Sequence, residues 1–173
     1  MTILIRPAAE DDVDQIARVL VDTWRSTFRG RLSDAFLDGM TYAGQADRHH
    51  RTIQRDGVAY FVACSAEGDV IGFVNGGPIR HPFQGYESEL YALYVRAAFH
   101  ERGIGARLVA ALAKTMTGRG VDRMLVWVLA INPNAAFYGR MGARAVATRP
   151  VVLGSETVDE VAFVWDGLSA RFK

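Results

Sequence analysis

The sequence contains almost no cysteine, since Cys64 is the single one among 173 residues. One thiol cannot build an intramolecular disulfide framework or a cysteine-based zinc cage. Cys64 lies in a β-rich segment without an adjacent histidine, so we interpret it as a core residue rather than a nucleophile. His49 and His50 are interpreted as part of a solvated helix face, because no second cluster completes a metal site. We therefore expect no metal ion.

The sequence also lacks a long apolar run and an excess of charge. The longest apolar run, residues 124–131, is far shorter than the ~18–20 residues that span a bilayer. The amino terminus is too acidic, and its apolar part too short, for a signal peptide. A formal net charge of +1 gives no overall attraction to nucleic acid or anionic membranes. We expect one cytoplasmic domain over residues 1–173, without a nucleic-acid or membrane partner.

Apolar residues recur with the periods of strands and helices along the whole chain. The strand pattern predicts strands at 2–6, 58–65, 70–76, 87–95, 123–129, 144–152 and 157–165. The helical pattern predicts a helix from about Val13 to Gly30, a region over 33–55 interrupted at Gly39 and Gly44, and helices at 103–119 and 133–141. This order predicts an α+β fold with a mixed sheet of about seven strands and about four helices.

The strand at 87–95 carries acidic residues where a central strand is normally apolar. Alternation places Glu87, Glu89 and Tyr91 on one face of this strand, and Leu90 and Tyr94 on the other. Buried carboxylates are costly unless they are solvated, paired or used. For Glu87, a solvated position at the start of the strand is as good an interpretation as a functional role. For Glu89, which lies nearer the centre of the strand, a functional role is favoured.

A glycine-containing turn follows this strand and precedes a helix. Gly103 and Gly105 permit close approach to the backbone, the free N–H groups of the helix start attract anions, and Arg102 adds positive charge. The sequence here is neither a P-loop nor a dinucleotide fingerprint, because it lacks Gly-Lys-Ser/Thr and places Leu108 where a third small residue is needed. By itself, the pair of glycines is equally typical of an ordinary strand-to-helix turn.

Longer motifs around this turn resemble those of the Gcn5-related N-acetyltransferases. Residues 89–95 (ELYALYV) and 100–106 (HERGIGA) resemble motif A of that family, and residues 125–129 (LVWVL), Asn132 and 137–143 (FYGRMGA) resemble motif B. Residues 24–30 (WRSTFRG) resemble a variant common among bacterial members. Two departures are His100, where the family usually has Gln or Arg, and a spacing from Asn132 to Phe137 that is one residue shorter than usual.

The resemblance covers nearly the whole chain and implies the family's fold and cofactor. It implies a sheet splayed between the fourth and fifth strands, acetyl-CoA as co-substrate, direct attack by an acceptor amine without a covalent acetyl-enzyme, and frequent dimers. We expect the strand at 87–95 to pair with the pantetheine and the loop to bind the pyrophosphate. The implied cofactor contacts are Leu93, Tyr94, Val95, His100, Glu101, Arg102, Gly103, Ile104, Gly105, Ala106, Asn132 and Phe137.

The resemblance also implies the catalytic roles. Glu89, acting through water, is the expected base for the acceptor, with Glu87 as second choice, and Tyr138 is the expected acid for the departing thiolate. We expect Tyr138→Phe to slow turnover less than Glu89→Gln. Arg140 is interpreted as a surface charge. Residues expected to contact the acceptor are Trp24, Thr27, Phe28 and Tyr91.

Other functions remain compatible with the sequence. An acyl-CoA-binding sensor without turnover is the main alternative to an enzyme, and a site for another phosphate ligand is a third. The acceptor is open among polyamines, amino acids, antibiotics, peptide amino termini and protein lysines.

Overall fold

A computed structural model describes residues 2–173 and contains one seven-stranded sheet with the order β1-β2-β3-β4-β5-β7-β6. Only the β4–β5 pair is parallel, so the sheet is mixed as the sequence predicts. The strands are β1 (Leu4–Pro7), β2 (Ala59–Cys64), β3 (Val70–Pro78), β4 (Ser88–Val95), β5 (Met124–Leu129), β6 (Arg144–Leu153) and β7 (Glu156–Trp165). The helices are α1 (Val13–Phe28), α2 (Asp34–Gly39), α3 (Tyr42–Ile53), α4 (Ile104–Gly118), α5 (Ala136–Arg140) and α6 (Leu168–Arg171).

Helices α1 and α4 cover opposite faces of the sheet. Leu20 of α1 packs with Phe73 of β3, whereas Leu112 of α4 packs with the neighbouring Val74. Successive strand residues point to opposite faces, so one strand supplies both apolar clusters. Cys64 is buried in the α1 cluster, as a core residue should be.

The predicted helical region over 33–55 divides into α2 and α3. The break falls at Met40 and Thr41, and the Thr41 hydroxyl accepts a hydrogen bond from the Gly44 N–H at 3.0 Å. The interruption predicted at Gly44 is therefore wrong: this glycine lies in the first turn of α3, where Thr41 caps the helix. The short α6 lies beyond the elements predicted from the sequence, which brings the helices to six instead of about four.

The parallel strands β4 and β5 separate halfway along their length. Their register pairs Ser88 with Met124, Glu89 with Leu125 and Leu90 with Val126, and it ends there. Beyond Leu90, no strand formed by residues 2–173 pairs with the edge of β4 that faces β5. The predicted splay between the fourth and fifth strands is confirmed.

A β-bulge interrupts β4 at the same point. Asn75 of β3 pairs with Ala92 and Gly76 pairs with Leu90, so Tyr91 is an extra residue. A Cβ on Gly76 would lie 2.6 Å from the Glu89 carbonyl oxygen, so only glycine fits opposite the bulge.

The bulge corrects the face assignment made from the sequence. Leu90 packs under α4 with Leu93 and Val95, whereas Ala92 and Tyr94 pack on the α1 side. Simple alternation, which placed Leu90 and Tyr94 on one face, is wrong because it omits the extra residue.

Candidate functional site

A cavity of about 380 Å³ opens where β4 and β5 separate, and we call it the loop cavity. Its walls come from α1, the end of β4, the loop before α4, the first turn of α4, and the α5 region. The cavity brings together every residue expected to contact the cofactor except Arg102. It is lined by Thr23, Thr27, Phe28, Leu93, Tyr94, Val95, Phe99, His100, Glu101, Gly103, Ile104, Gly105, Ala106, Asn132, Asn134, Phe137, Tyr138 and Arg140.

The loop before α4 has an unusual backbone. Glu101 and Gly103 both have positive φ, 61° and 72°, and Gly103 is the N-cap of α4. A positive φ is strained for a glutamate and easy for a glycine, so the loop conformation stores backbone strain at Glu101 and none at Gly103. No side chain caps α4, which leaves the N–H groups of its first turn available at the cavity wall.

The contacts of the polar side chains around the loop differ in detail from those expected from the sequence. An imidazole nitrogen of His100 lies 2.8 Å from the Val95 carbonyl oxygen, so this ring fastens the loop to the end of β4. Arg102 lies over the Phe99 ring, 5.5 Å from its centroid, and does not line the cavity. Arg140, interpreted as a surface charge, is exposed and also lines the cavity. Its motif, residues 137–143, gives no signal for this placement, which follows from the turn into α5.

Asn132 lines the loop cavity, and its side-chain oxygen also stabilises a turn of the backbone. Its Oδ1 accepts a hydrogen bond from the Asn134 N–H at 2.8 Å, closing a turn before α5. Such a turn uses the asparagine oxygen to replace a backbone acceptor. Only the amide NH₂ of Asn132 is then left for a ligand.

A second cavity of about 970 Å³ lies on the α1 side of the sheet, and we call it the aromatic cavity. Helices α1, α2 and α3 form one wall, and strands β2 to β7 form the other. Trp24, Phe28 and Tyr91 line it, as expected for acceptor residues, whereas Thr27 lines only the loop cavity. The aromatic residues missed from the sequence are Phe36, Tyr60 and Trp127.

The two cavities adjoin along one wall. Phe28, Leu93, Tyr94, Asn132 and Tyr138 line both of them. The Trp24 indole N–H donates to the Tyr94 hydroxyl at 2.8 Å, which fixes the Tyr94 ring at this boundary. Burial raises the pKa of Tyr94 to about 12, although the bond from Trp24 opposes the rise.

Tyr138 is the expected acid, and its side chain is 8% exposed at the shared wall. Burial, with a smaller contribution from Tyr94, raises the pKa of its phenol well above the usual range. Among residues 2–173, no side chain hydrogen-bonds its hydroxyl. The Tyr138 hydroxyl is therefore protonated at neutral pH and can donate a hydrogen bond at the shared wall.

Glu89 is 2% exposed and held by Arg80. The Arg80 backbone N–H donates to Oε2 at 3.1 Å and its Nε donates to Oε1 at 3.1 Å, while its Nη2 also donates to Oε1. Burial opposes the charge on Arg80, but the bonds to Glu89 outweigh it and raise the pKa of the guanidinium. Arg80 lines the aromatic cavity and Glu89 does not. Glu87 is exposed and precedes β4.

A second buried carboxylate, Glu160 of β7, lines the aromatic cavity. The Arg149 Nε donates to its Oε1 at 2.6 Å, and the Arg149 guanidinium lies 3.7 Å from the centroid of the Trp127 ring. The sequence already indicates that Glu160 is buried, because alternation along the predicted strand at 157–165 places it on the same face as the apolar Ala162 and Val164.

His49 is buried, so its interpretation as part of a solvated face is wrong. It is 6% exposed, and its Nδ1 lies 3.0 Å from the Tyr60 hydroxyl. Burial, with Arg48 and His50 nearby, lowers the pKa of His49 to about 4, so the ring is neutral at pH 7. The helical period explains the error, because α3 turns His49 and Ala46 inward while His50 stays exposed.

No group of three His, Cys, Asp or Glu side chains among residues 2–173 is placed to hold a metal ion. No helix formed by these residues is long and apolar enough to cross a membrane.

Comparisons with known proteins agree on one family. Residues 17–143 match the Acetyltransferase (GNAT) family. The uncharacterized N-acetyltransferase YuaI of Bacillus subtilis is 33% identical over 168 residues, which cover 97% of this chain and 95% of that protein. The aminoglycoside N(6')-acetyltransferase type 1 of Salmonella typhimurium is 29% identical over 123 residues, which cover 65% of this chain and 77% of that protein.

Among solved structures, the PaiA N-acetyltransferase of Thermoplasma acidophilum in complex with coenzyme A has the same fold. The TM-score is 0.75 at 22% identity, over 92% of this chain and 98% of that one. The family match and the YuaI relative each cover most of the sequence, and they agree with the splayed sheet and the loop cavity. The chain therefore belongs to the GNAT family of N-acetyltransferases.

Proposed function

We propose that the protein transfers the acetyl group of acetyl-CoA to a primary amine, by direct attack of the amine on the thioester. The observation that carries this proposal is the wall that the two cavities share. Leu93, Tyr94 and Tyr138 border both cavities, so a donor in one and an amine in the other meet at the same residues. Direct transfer needs no nucleophile from the protein, and Cys64 is buried in the core of β2.

The loop cavity has groups suited to acetyl-CoA. The unpaired edge of β4 beyond Leu90 offers backbone groups to the amides of pantetheine, as an added strand would use them. The N–H groups of the loop and the start of α4 suit the pyrophosphate, and Arg140 adds positive charge. The buried Thr23 Oγ1 has no hydrogen-bond partner among residues 2–173, which fits a wall that faces a polar ligand. When bound, acetyl-CoA supplies an activated acetyl thioester.

The amine must lose its proton before it attacks. An alkyl ammonium has a pKa near 10, so the neutral amine costs about 4 kcal/mol at pH 7. We assign the base to Glu89, acting through water, because Arg80 lies on the cavity wall in front of it. Glu87 is a weaker candidate because it is exposed and precedes β4, whereas Glu89 is joined to the cavity wall through Arg80.

Tyr138 is assigned a role at the leaving group, the thiolate of coenzyme A. In the overall step a nitrogen–carbon bond forms and the carbon–sulfur bond breaks. One ammonium proton leaves toward Glu89, and the second ends on the thiol. Because burial makes the Tyr138 phenol a weaker acid than usual, we assign it hydrogen bonding to the developing thiolate rather than complete proton donation.

The test is acceptor-dependent release of free thiol from acetyl-CoA, with the acetylated amine identified by mass spectrometry. Tyr138→Phe should lower kcat about tenfold and leave the Kd for acetyl-CoA unchanged, because it removes one hydrogen bond made during the reaction. Tyr42→Phe is the matched control, since the Tyr42 hydroxyl bonds Asp22 on the surface and lines neither cavity.

The same experiment separates the enzyme from the acyl-CoA sensor. Binding of acetyl-CoA with no thiol release for any amine would refute acetyl transfer and favour the sensor. A Tyr138→Phe variant with wild-type kcat would remove only the role assigned to Tyr138.

A further inference from the structure

Two arginines at the α3 wall of the aromatic cavity have no acidic partner. Arg48 lies in α3 and Arg55 follows the helix, both are exposed at the cavity, and neither forms an ion pair among residues 2–173. Burial raises the pKa of the Tyr91 phenol, and Arg55 opposes that rise, so its charge acts at the cavity floor. This wall is positively charged.

The carboxylates near this cavity are already neutralised. Glu160 is bound by Arg149 at 2.6 Å, and Glu89 is bound by Arg80. Each pair cancels its own charge, which leaves the two positive charges of Arg48 and Arg55 at the wall. An acceptor with a second ammonium group would find no free carboxylate among the lining residues and would lie near two arginines.

A buried polar cluster lies on the same side of the cavity. His49, Tyr60 and Asn75 line it and are each less than a tenth exposed. The Asn75 Oδ1 is buried without a hydrogen-bond partner among residues 2–173. Buried acceptors are nearly always satisfied, so this oxygen awaits a ligand group that donates a hydrogen bond. The wall therefore pairs an anion site with an acceptor of hydrogen bonds.

We propose that the acceptor is an amine that also carries an anionic group, as in an amino acid or a short peptide. The anion lies at Arg48 and Arg55, an N–H or O–H beside it donates to Asn75, and the amine reaches the shared wall at Tyr138. This assignment rests on the proposed acetyl transfer and names its substrate class. Polycationic amines, such as those implied by the name of the Salmonella relative, are poor acceptors for this chain.

The experiment compares acceptors that are matched in length and differ in charge. Glycylglycine is compared with glycylglycinamide, and 4-aminobutyrate with 4-aminobutanamide and 1,4-diaminobutane. For the anionic acceptors we expect kcat/KM to be at least about tenfold higher, the size of one charged hydrogen bond. The preference should shrink between about 50 and about 500 mM salt, because the arginines are exposed and therefore screened. 3-Aminopropylphosphonate distinguishes a phosphonate from a carboxylate as the preferred anion.

Arginine variants test whether the preference for anionic acceptors arises at the α3 wall of the aromatic cavity. Arg55→Gln should lose about tenfold in kcat/KM for glycylglycine, mainly through KM, and leave glycylglycinamide unchanged. Arg51→Gln is the matched control on α3, because Arg51 is exposed and lines neither cavity. Glycylsarcosine lacks the peptide N–H and should react several-fold more slowly than glycylglycine if Asn75 receives that group.

The outcomes separate the two proposals. Equal or better use of the amide or the diamine, with thiol release intact, overturns the anionic acceptor and leaves acetyl transfer standing. An equal loss in Arg51→Gln overturns the assignment to this wall. Acetyl-CoA binding without acetylation of any probe overturns the proposed function itself, and the acceptor class with it.

Discussion

The two cavities of this protein are built in different ways. The loop cavity takes most of its lining from two short stretches, 93–106 and 132–140, and the groups that we assign to the pyrophosphate are mainly backbone N–H groups. The aromatic cavity takes its lining residues from four helices and six strands. Backbone recognition depends on local chain conformation, so it leaves a contiguous motif in the sequence. Side-chain recognition depends on long-range packing, so it leaves almost none.

The largest expected effect lies on the aromatic side. Glu89→Gln should lower kcat at pH 7 by about 10²–10⁴-fold, the range for loss of a general base, with an unchanged Kd for acetyl-CoA. The loss should shrink as the pH rises toward 10, because the amine then deprotonates without help. If the loss of kcat came instead from a structural defect caused by the unpaired Arg80, it would be equally large at every pH.

Glu87→Gln is the matched control for this change. Because Glu87 is exposed before β4, it should keep wild-type kcat at both pH values. A large loss in this variant would transfer the base role from Glu89 to Glu87. Steady-state rates between about pH 7 and about pH 9.5 test both, and Tyr138→Phe should be slowed less than Glu89→Gln.

A second effect on the aromatic side concerns stability. The pKa of His49 is lowered to about 4, while the unfolded chain binds the same proton near 6.5. The unfolded state therefore binds more protons between these values, so stability is complete above about pH 6.5 and falls toward pH 4, by about 3 kcal/mol at most. Urea unfolding at several pH values should show a flatter dependence in His49→Gln than in the wild type. His50→Gln should flatten this dependence much less, because His50 is the smallest of the causes that lower the pKa of His49.

The smallest expected effect tests the loop cavity. Valine at Gly103 must adopt a φ of 72°, which costs about 1–2 kcal/mol, so Gly103→Val should weaken acetyl-CoA binding about tenfold. Gly118→Val is the control at the other end of α4, where a Cβ meets nothing within 4 Å and φ is ordinary. Calorimetric titration with acetyl-CoA measures both. Similar losses in the two variants would mean that helix stability, and not the loop backbone, governs binding.

Periodicity predicts the strands and helices, and the resemblance of contiguous motifs to a known family implies the splay and most of the residues of the loop cavity. The sequence does not reveal that Arg80 binds Glu89, since Arg80 lies in a loop whose path only the folded chain determines. It misses the inward position of His49, which depends on how α3 rotates against β2 and β3. Thr27 was expected at the acceptor and lines the loop cavity instead, since a helical period gives a face but not which cavity that face meets.

The bulge at Tyr91 has a consequence for variation in chain length. One extra residue puts the two halves of β4 out of phase, so that Leu90 and Leu93 share a face while Tyr94 takes the other. The ladder with β3 nevertheless keeps its phase across the bulge, because Leu90 pairs with Gly76 and Ala92 pairs with the adjacent Asn75. Deleting Tyr91 would therefore leave Leu93 and Tyr94 on the faces that they occupy now, and the site would lose only the Tyr91 side chain. Strand β4 thus holds one residue more than its register requires, so a one-residue deletion at this point is better accommodated than a side chain at Gly76, whose Cβ would meet the Glu89 carbonyl oxygen.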